Sequence, residues 1–98
     1  MSELVDRFAR DLAEVSWRDL RIHLQRDAII TLTKDLSLIE VAMAVAKDQK
    51  SQVESWVTAG KLSKPSELDV QTWEGELDKP FRMLIVQPFI LIQAVFDA

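Results

Sequence analysis

Leu38, Val41, Ala42 and Val45 fall at i, i+3, i+4 and i+7, the apolar stripe of an amphipathic helix. Val53, Trp56 and Val57 repeat the i, i+3, i+4 part of that spacing. Between the stripes, Lys47-Asp48-Gln49-Lys50-Ser51-Gln52 holds no apolar residue. Residues 35–60 therefore read as two helices meeting near Asp48, or as one helix with a polar waist. Asp35 or Ser37 can cap the start, and the alanines at 42, 44 and 46 favour helix over strand. Gly60 stands where a helix ends in a left-handed residue. The rest of the chain is expected to cover this centre.

Upstream, Leu4, Phe8 and Leu12 keep an i+4 spacing in a helix capped by Ser2 and reaching about Glu14, with Asp6, Arg7, Arg10, Asp11 and Glu14 opposite. Ser16-Trp-Arg-Asp19 resembles a capping box and opens a second helix. Trp17, Leu20 and Leu24 form its inner stripe, and Arg18, Arg21 and Gln25 its wet face. Ala28–Thr33 is short and β-branched, and reads as a strand. Beyond Gly60, residues 61–65 form a connector that Pro65 keeps extended. Ser66 then caps a short helix carrying Val70, Trp73 and Leu77. Phe81–Val86 and Phe89–Phe96, split by Gln87-Pro88, read as two strands, or one bent strand, buried on both faces. A helix starting at Pro88 is the alternative for the last segment. The pattern predicts an α+β fold: about five short helices packed on one face of a small two- to three-stranded sheet built from 28–33, 82–87 and 89–95. Residues 1–98 are expected to form a single domain.

Composition narrows what such a domain does. A 98-residue chain that is 48% hydrophobic suffices for one core. Its net charge of -4 argues against nucleic acid and against anionic membrane surfaces, both of which call for clustered Lys and Arg. There is no cysteine, hence no disulfide, thiolate nucleophile or Cys-ligated metal, which suits a reducing cytoplasm. The charged N-terminal stretch is not a signal peptide. The most apolar run, Met83–Phe96, is shorter than the ~20 residues a bilayer span takes, so no membrane insertion is expected.

Catalytic chemistry finds little to work with. His23 is the sole histidine, with neither a nucleophile nor an orienting carboxylate beside it in sequence. Glu74, Glu76 and Asp78 alternate as calcium ligands do, but Lys79 and Ile85 stand where such a loop needs Gly and Glu. Two glycines, Gly60 and Gly75, cannot build a phosphate-cradling loop. Arg18 and Arg21 share a helix face, but acidic neighbours offset them. No catalytic residue, cofactor or metal is expected. Trp17, Trp56 and Trp73 fall on the apolar sides of their helices, as core or interface anchors do. The C-terminal run offers more apolar surface than a domain edge needs, and a strand at an edge is a template for pairing. Phe89, Ile90 and Ile92, with Trp56 and Trp73, are accordingly the candidate interaction residues.

Several of these residues form an ordered series. Trp17-x-x-Leu20, Leu36-Ser-Leu-Ile-Glu40-Val-Ala42, Asp48, Val53-x-x-Trp56 with Gly60, Trp73 and Ile85-Val-Gln-Pro88-Phe-Ile-Leu-Ile-Gln93 follow one another along the chain. This series resembles a bacterial family catalogued as domain of unknown function 2288, over about Leu12 to Gln93. Phe89 stands where the family has tryptophan. The resemblance implies a small cytoplasmic bacterial domain and brings no activity. It singles out Glu40, Asp48 and Gln93 among the polar residues. Glu40 and Asp48 lie two helical turns apart if the helix is continuous, and are candidate functional groups; otherwise Asp48 is a cap and Glu40 a buried, hydrogen-bonded carboxylate. The expected function is a non-enzymatic protein–protein interaction or assembly domain that self-associates or docks on a protein partner. The alternative is a small-molecule-binding regulatory domain, with a tryptophan-lined pocket near Glu40 or Asp48.

Overall fold

Apolar residues of both parities in the last third of the chain set the frame. In the computed structural model, which describes residues 3–95 apart from the side chains of Gln25 and Arg26, strand β4 (Pro80–Val86) and strand β5 (Phe89–Ala94) form an antiparallel hairpin closed by Gln87-Pro88. Its register runs from Val86 opposite Phe89 to Phe81 opposite Ala94. Phe81, Met83, Ile90 and Ile92 face one side, Leu84, Val86 and Leu91 the other. A strand apolar on both faces must be covered on both. The expected Ser2 cap and the Phe96 end of the last strand lie outside the described residues.

Three more strands complete the sheet. β2 (Ile29–Leu32) runs parallel to β5, with Ile29 beside Ile90 and Thr31 beside Ile92. β1 (Ala13–Ser16) pairs antiparallel with the start of β4, and the two-residue β3 (Leu62–Ser63) with the end of β2. The order is β1-β4-β5-β2-β3. Among the described residues the sheet thus has five strands where two or three were expected. β1 takes residues read as the end of the first helix, and α1 stops at Asp11. β5 is the middle strand, so the expected apolar edge at the C-terminus does not exist. The last segment is a strand, not a helix.

Helices cover both faces of the sheet, not one. On the first face lie α1 (Glu3–Asp11), α3 (Leu38–Ala46) and α4 (Lys50–Thr58). Phe8, Leu36, Leu38, Val41 and Ala42 meet Leu32, Leu62, Leu84, Val86 and Leu91 there. On the second lie α2 (Trp17–Leu20), a 3-10 turn over Arg21–Arg26, and α5 (Glu67–Glu74). Trp17 and Leu20 meet Ile29, Phe81, Ile90 and Ile92, with Val70, Trp73 and Leu77 packed around them.

The caps follow the sequence closely. Asp19 accepts hydrogen bonds from the backbone N–H (3.2 Å) and hydroxyl (3.1 Å) of Ser16. Ser66 and Asp69 reciprocate at the start of α5. Ser37, not Asp35, caps α3, its Oγ accepting from the Glu40 N–H at 3.3 Å. The polar waist separates two helices. Asp48 is left-handed at φ 56°. Gln49 N–H donates to Ala44 O (2.9 Å) and Asp48 N–H to Val45 O (3.1 Å), which is the Schellman closure. Gly60, at φ 77°, ends α4 the same way, with Lys61 N–H on Trp56 O and Gly60 N–H on Val57 O. Aspartate is among the few non-glycine residues that visit this conformation readily. Val57, expected inside, is 54% exposed; Val53 and Trp56 alone carry that stripe inward.

Candidate functional site

The outer surface of the helix layer α1-α3-α4 carries an open groove. α3 lies between its two neighbours and over β4 and β5. Leu38, Val41, Ala42 and Ala44 are buried beneath it. Ile39 and Met43, one turn apart, touch the core but stay only half-buried, beside exposed Glu40 and Lys47. Val5 of α1, 38% exposed, and Gln52 and half-buried Trp56 of α4 line the same groove, an open space of about 660 Å³. A helix apolar all round is normally buried all round, so this half-buried apolar side is a departure that asks for a partner or a ligand.

A second, smaller groove of about 220 Å³ opens at the α3-α4 turn. Val45, Val53 and Phe89 line it, with Asp48, Lys50 and Glu54 at its rim. Ala44 and Gln49 border both grooves. The structure therefore brings Glu40 together with Trp56 in one groove and Asp48 with Phe89 in the other. Glu40 and Asp48 do not share a groove, because the chain reverses at Asp48. Both are exposed, so Glu40 is not the buried, hydrogen-bonded carboxylate that was one expectation.

The other candidates are placed inside. Ile90 and Ile92 are 7% and 0% exposed, and lie on the opposite face of the sheet from Phe89. They are core residues, not interaction residues, because β5 is flanked on both edges and covered on both faces. Trp73 is half-buried in an aromatic cluster, its ring centroid 4.9 Å from that of Trp17 and 5.0 Å from that of Phe81. The edge-on Trp73–Phe81 pair has a preferred geometry for packed rings, and the Trp17–Trp73 pair is tilted at 54°. Glu74 locks the cluster from outside. It accepts the Trp17 indole N–H at 2.6 Å and the Arg21 Nε–H at 3.0 Å, and is ion-paired with the Arg21 guanidinium. The Trp17 bond first, and then Arg21, hold its carboxyl below the ordinary 4.5. Arg18 pairs with Asp78 at 3.2 Å. The two arginines are thus engaged by acids of α5 and the turn after it. His23 is half-buried on the 3-10 turn.

Two residues position α3. Gln93 Nε2 donates to Thr33 O (2.7 Å) and Leu36 O (2.6 Å), tying β5 to the loop that leads into the Ser37 cap. Asp35 accepts from Thr33 Oγ1 at 2.5 Å and pairs with Lys61 at 2.9 Å. These contacts, Lys61 foremost, lower its pKa from 3.8 to about 2. Among the described residues no group of three His, Asp or Glu side chains is placed to hold a metal ion, and no helix is long and apolar enough to cross a membrane. Sequence reasoning missed Val5, Ile39, Met43 and Lys47 as groove residues. The available signal was Ile39 and Met43, an i, i+4 apolar pair lying off the main stripe of α3.

Fold and grooves define a small α+β domain: a five-stranded sheet between two helical layers, with an apolar surface on one of them. The chain belongs to the family described as protein of unknown function DUF2288, whose profile matches residues 3–94. It is also similar to PA1075 of Pseudomonas aeruginosa, known from an NMR solution structure, at 30% identity and a TM-score of 0.81 over 99% of this chain and 89% of that one. No curated protein matches the chain.

Proposed function

We propose that this chain is a non-enzymatic, cytoplasmic protein–protein interaction domain, and that it docks its protein partner through the outer surface of the α1-α3-α4 layer. One observation carries the reading: Ile39 and Met43 of α3 are left open between Val5 and Trp56, with charges at both ends of the groove. An apolar centre with an aromatic wall and a polar rim is the usual anatomy of an interface. Methionine adds an adaptable contact surface. The acidic balance of the chain supports a protein rather than a nucleic-acid partner, and the lack of cysteine suits the cytoplasm.

The test is a tagged pull-down from the native host with the molar mass of the eluted complex, repeated with Met43→Glu. A complex of fixed stoichiometry that the variant loses, while circular dichroism shows it folded, supports the reading. A chain that is monomeric and elutes alone overturns it.

A second reading rests on the meeting of Trp56 and Glu40 in one groove. That pairing suits a small amphipathic ligand with a cationic or hydrogen-bond-donating group. A thermal-shift screen of metabolites followed by Trp56→Phe and Glu40→Gln variants tests it; a screen that moves nothing counts against it.

A further inference from the structure

Glu40 and Lys47 put opposite charges at the two ends of the groove. Glu40 lies in the first turn of α3 and Lys47 is its C-cap. Seven residues separate them, so they sit on one helix face about two turns apart, roughly 10 Å along the axis. Met43 lies between them. Both are exposed, and neither forms an ion pair with a described residue. A two-fold axis passing between Met43 and Ala44, perpendicular to α3, lays a second α3 antiparallel on the first. It sets Glu40 against the other copy's lysine at 47, and Lys47 against its glutamate at 40. An isologous interface demands this self-complementarity: if i meets j, then j meets i. The antiparallel arrangement also opposes the two helix dipoles favourably. The apolar centre of the groove meets its own copy at the axis.

Resting on the reading of the chain as an interaction domain, we infer that its partner is a second copy of itself, joined as a two-fold dimer through antiparallel α3 helices with reciprocal Glu40–Lys47 ion pairs.

Light scattering and sedimentation over a concentration series test this on the full chain, with Glu40→Lys, Lys47→Glu, the double variant, and an equimolar mixture of the two single variants. Each single variant turns two attractions into two repulsions, so its dimer should weaken by at least ~10-fold. In the mixture every lysine faces a glutamate, and a heterodimer of wild-type strength should form. The double variant should dimerise again as well. Raised salt should weaken the wild-type dimer. Loss of α3 stability alone cannot mimic this pattern: both changes oppose the helix dipole, so the double variant would be the worst and mixing would rescue nothing. A dimer indifferent to the single variants, or one that mixing does not restore, overturns the inference and leaves an interaction domain with another docking face. A wild-type chain that stays monomeric to millimolar concentration overturns it too. The pull-down with Met43→Glu then decides the broader reading separately.

Discussion

Replacing Ile92 by alanine separates the core reading of β5 from an interface reading. Ile92 is fully buried, on the central strand, against Trp17, Phe81 and Ile29. The change deletes three carbons, each worth about 0.8 kcal/mol of transfer free energy. That gives about 2.4 kcal/mol before any cavity term. The sheet and the aromatic cluster around the site cannot collapse easily, so a cavity cost adds to it, and the total should reach about 3–4 kcal/mol. In a domain of this size 1 kcal/mol moves Tm by roughly 4–8 °C, so the midpoint should fall by at least about 12 °C. Urea unfolding followed by tryptophan fluorescence is the assay, with an unchanged slope as the sign that two-state behaviour persists. Phe89→Ala is the comparison. Phe89 is 37% exposed and should cost about half as much or less. If Ile92→Ala loses under about 1 kcal/mol, or less than Phe89→Ala, then β5 is not the core strand and the reasoning fails.

Three further outcomes follow from the same contacts. Gln93→Ala removes the donor to two loop carbonyls and should cost about 1–3 kcal/mol in urea unfolding, with faster amide exchange in residues 33–37; normal exchange there would refute the positioning role. Gly60→Ala meets no atom within 4 Å but keeps φ at 77°, so it should cost about 1–2 kcal/mol from the backbone alone, while Asp48→Gly should be neutral or stabilising; equal effects at both sites would contradict the assignment. Glu74 has a lowered pKa in the folded chain, so its contribution is complete above the ordinary 4.5 and is lost as the pH falls below it. Asp35 likewise acts between 3.8 and about 2. Tm should therefore drop on acidification from pH 5, and Glu74→Gln should narrow its gap to the native chain as pH falls; a gap that holds constant to pH 2 would remove Glu74 as a titrating lock.

Local signals in the sequence determined most of the helices and their ends, the end of α1 at Asp11 being the exception. The Gly60 stop and the Ser16 and Ser66 caps act over four or five residues and stand where the spacing placed them, while the structure chose Ser37 over Asp35 as a cap and two helices over one at the polar waist. The apolar run 81–94 was legible as strands buried on both faces because both parities are apolar. Tertiary structure alone decided the order of those strands. Nothing within Phe89–Ala94 says that β2 joins its far edge in parallel, yet that contact turns an apparent sticky edge into the centre of the core. β1 and β3 were illegible for a related reason. Four residues with one large apolar side chain, or two residues within a connector, become strands only because an open backbone edge accepts them. The grooves have the same origin. Trp56 and Glu40 stood out singly, but their meeting with Val5 depends on three helices being laid side by side on one sheet face, and that arrangement is set by long-range burial rather than by any local spacing.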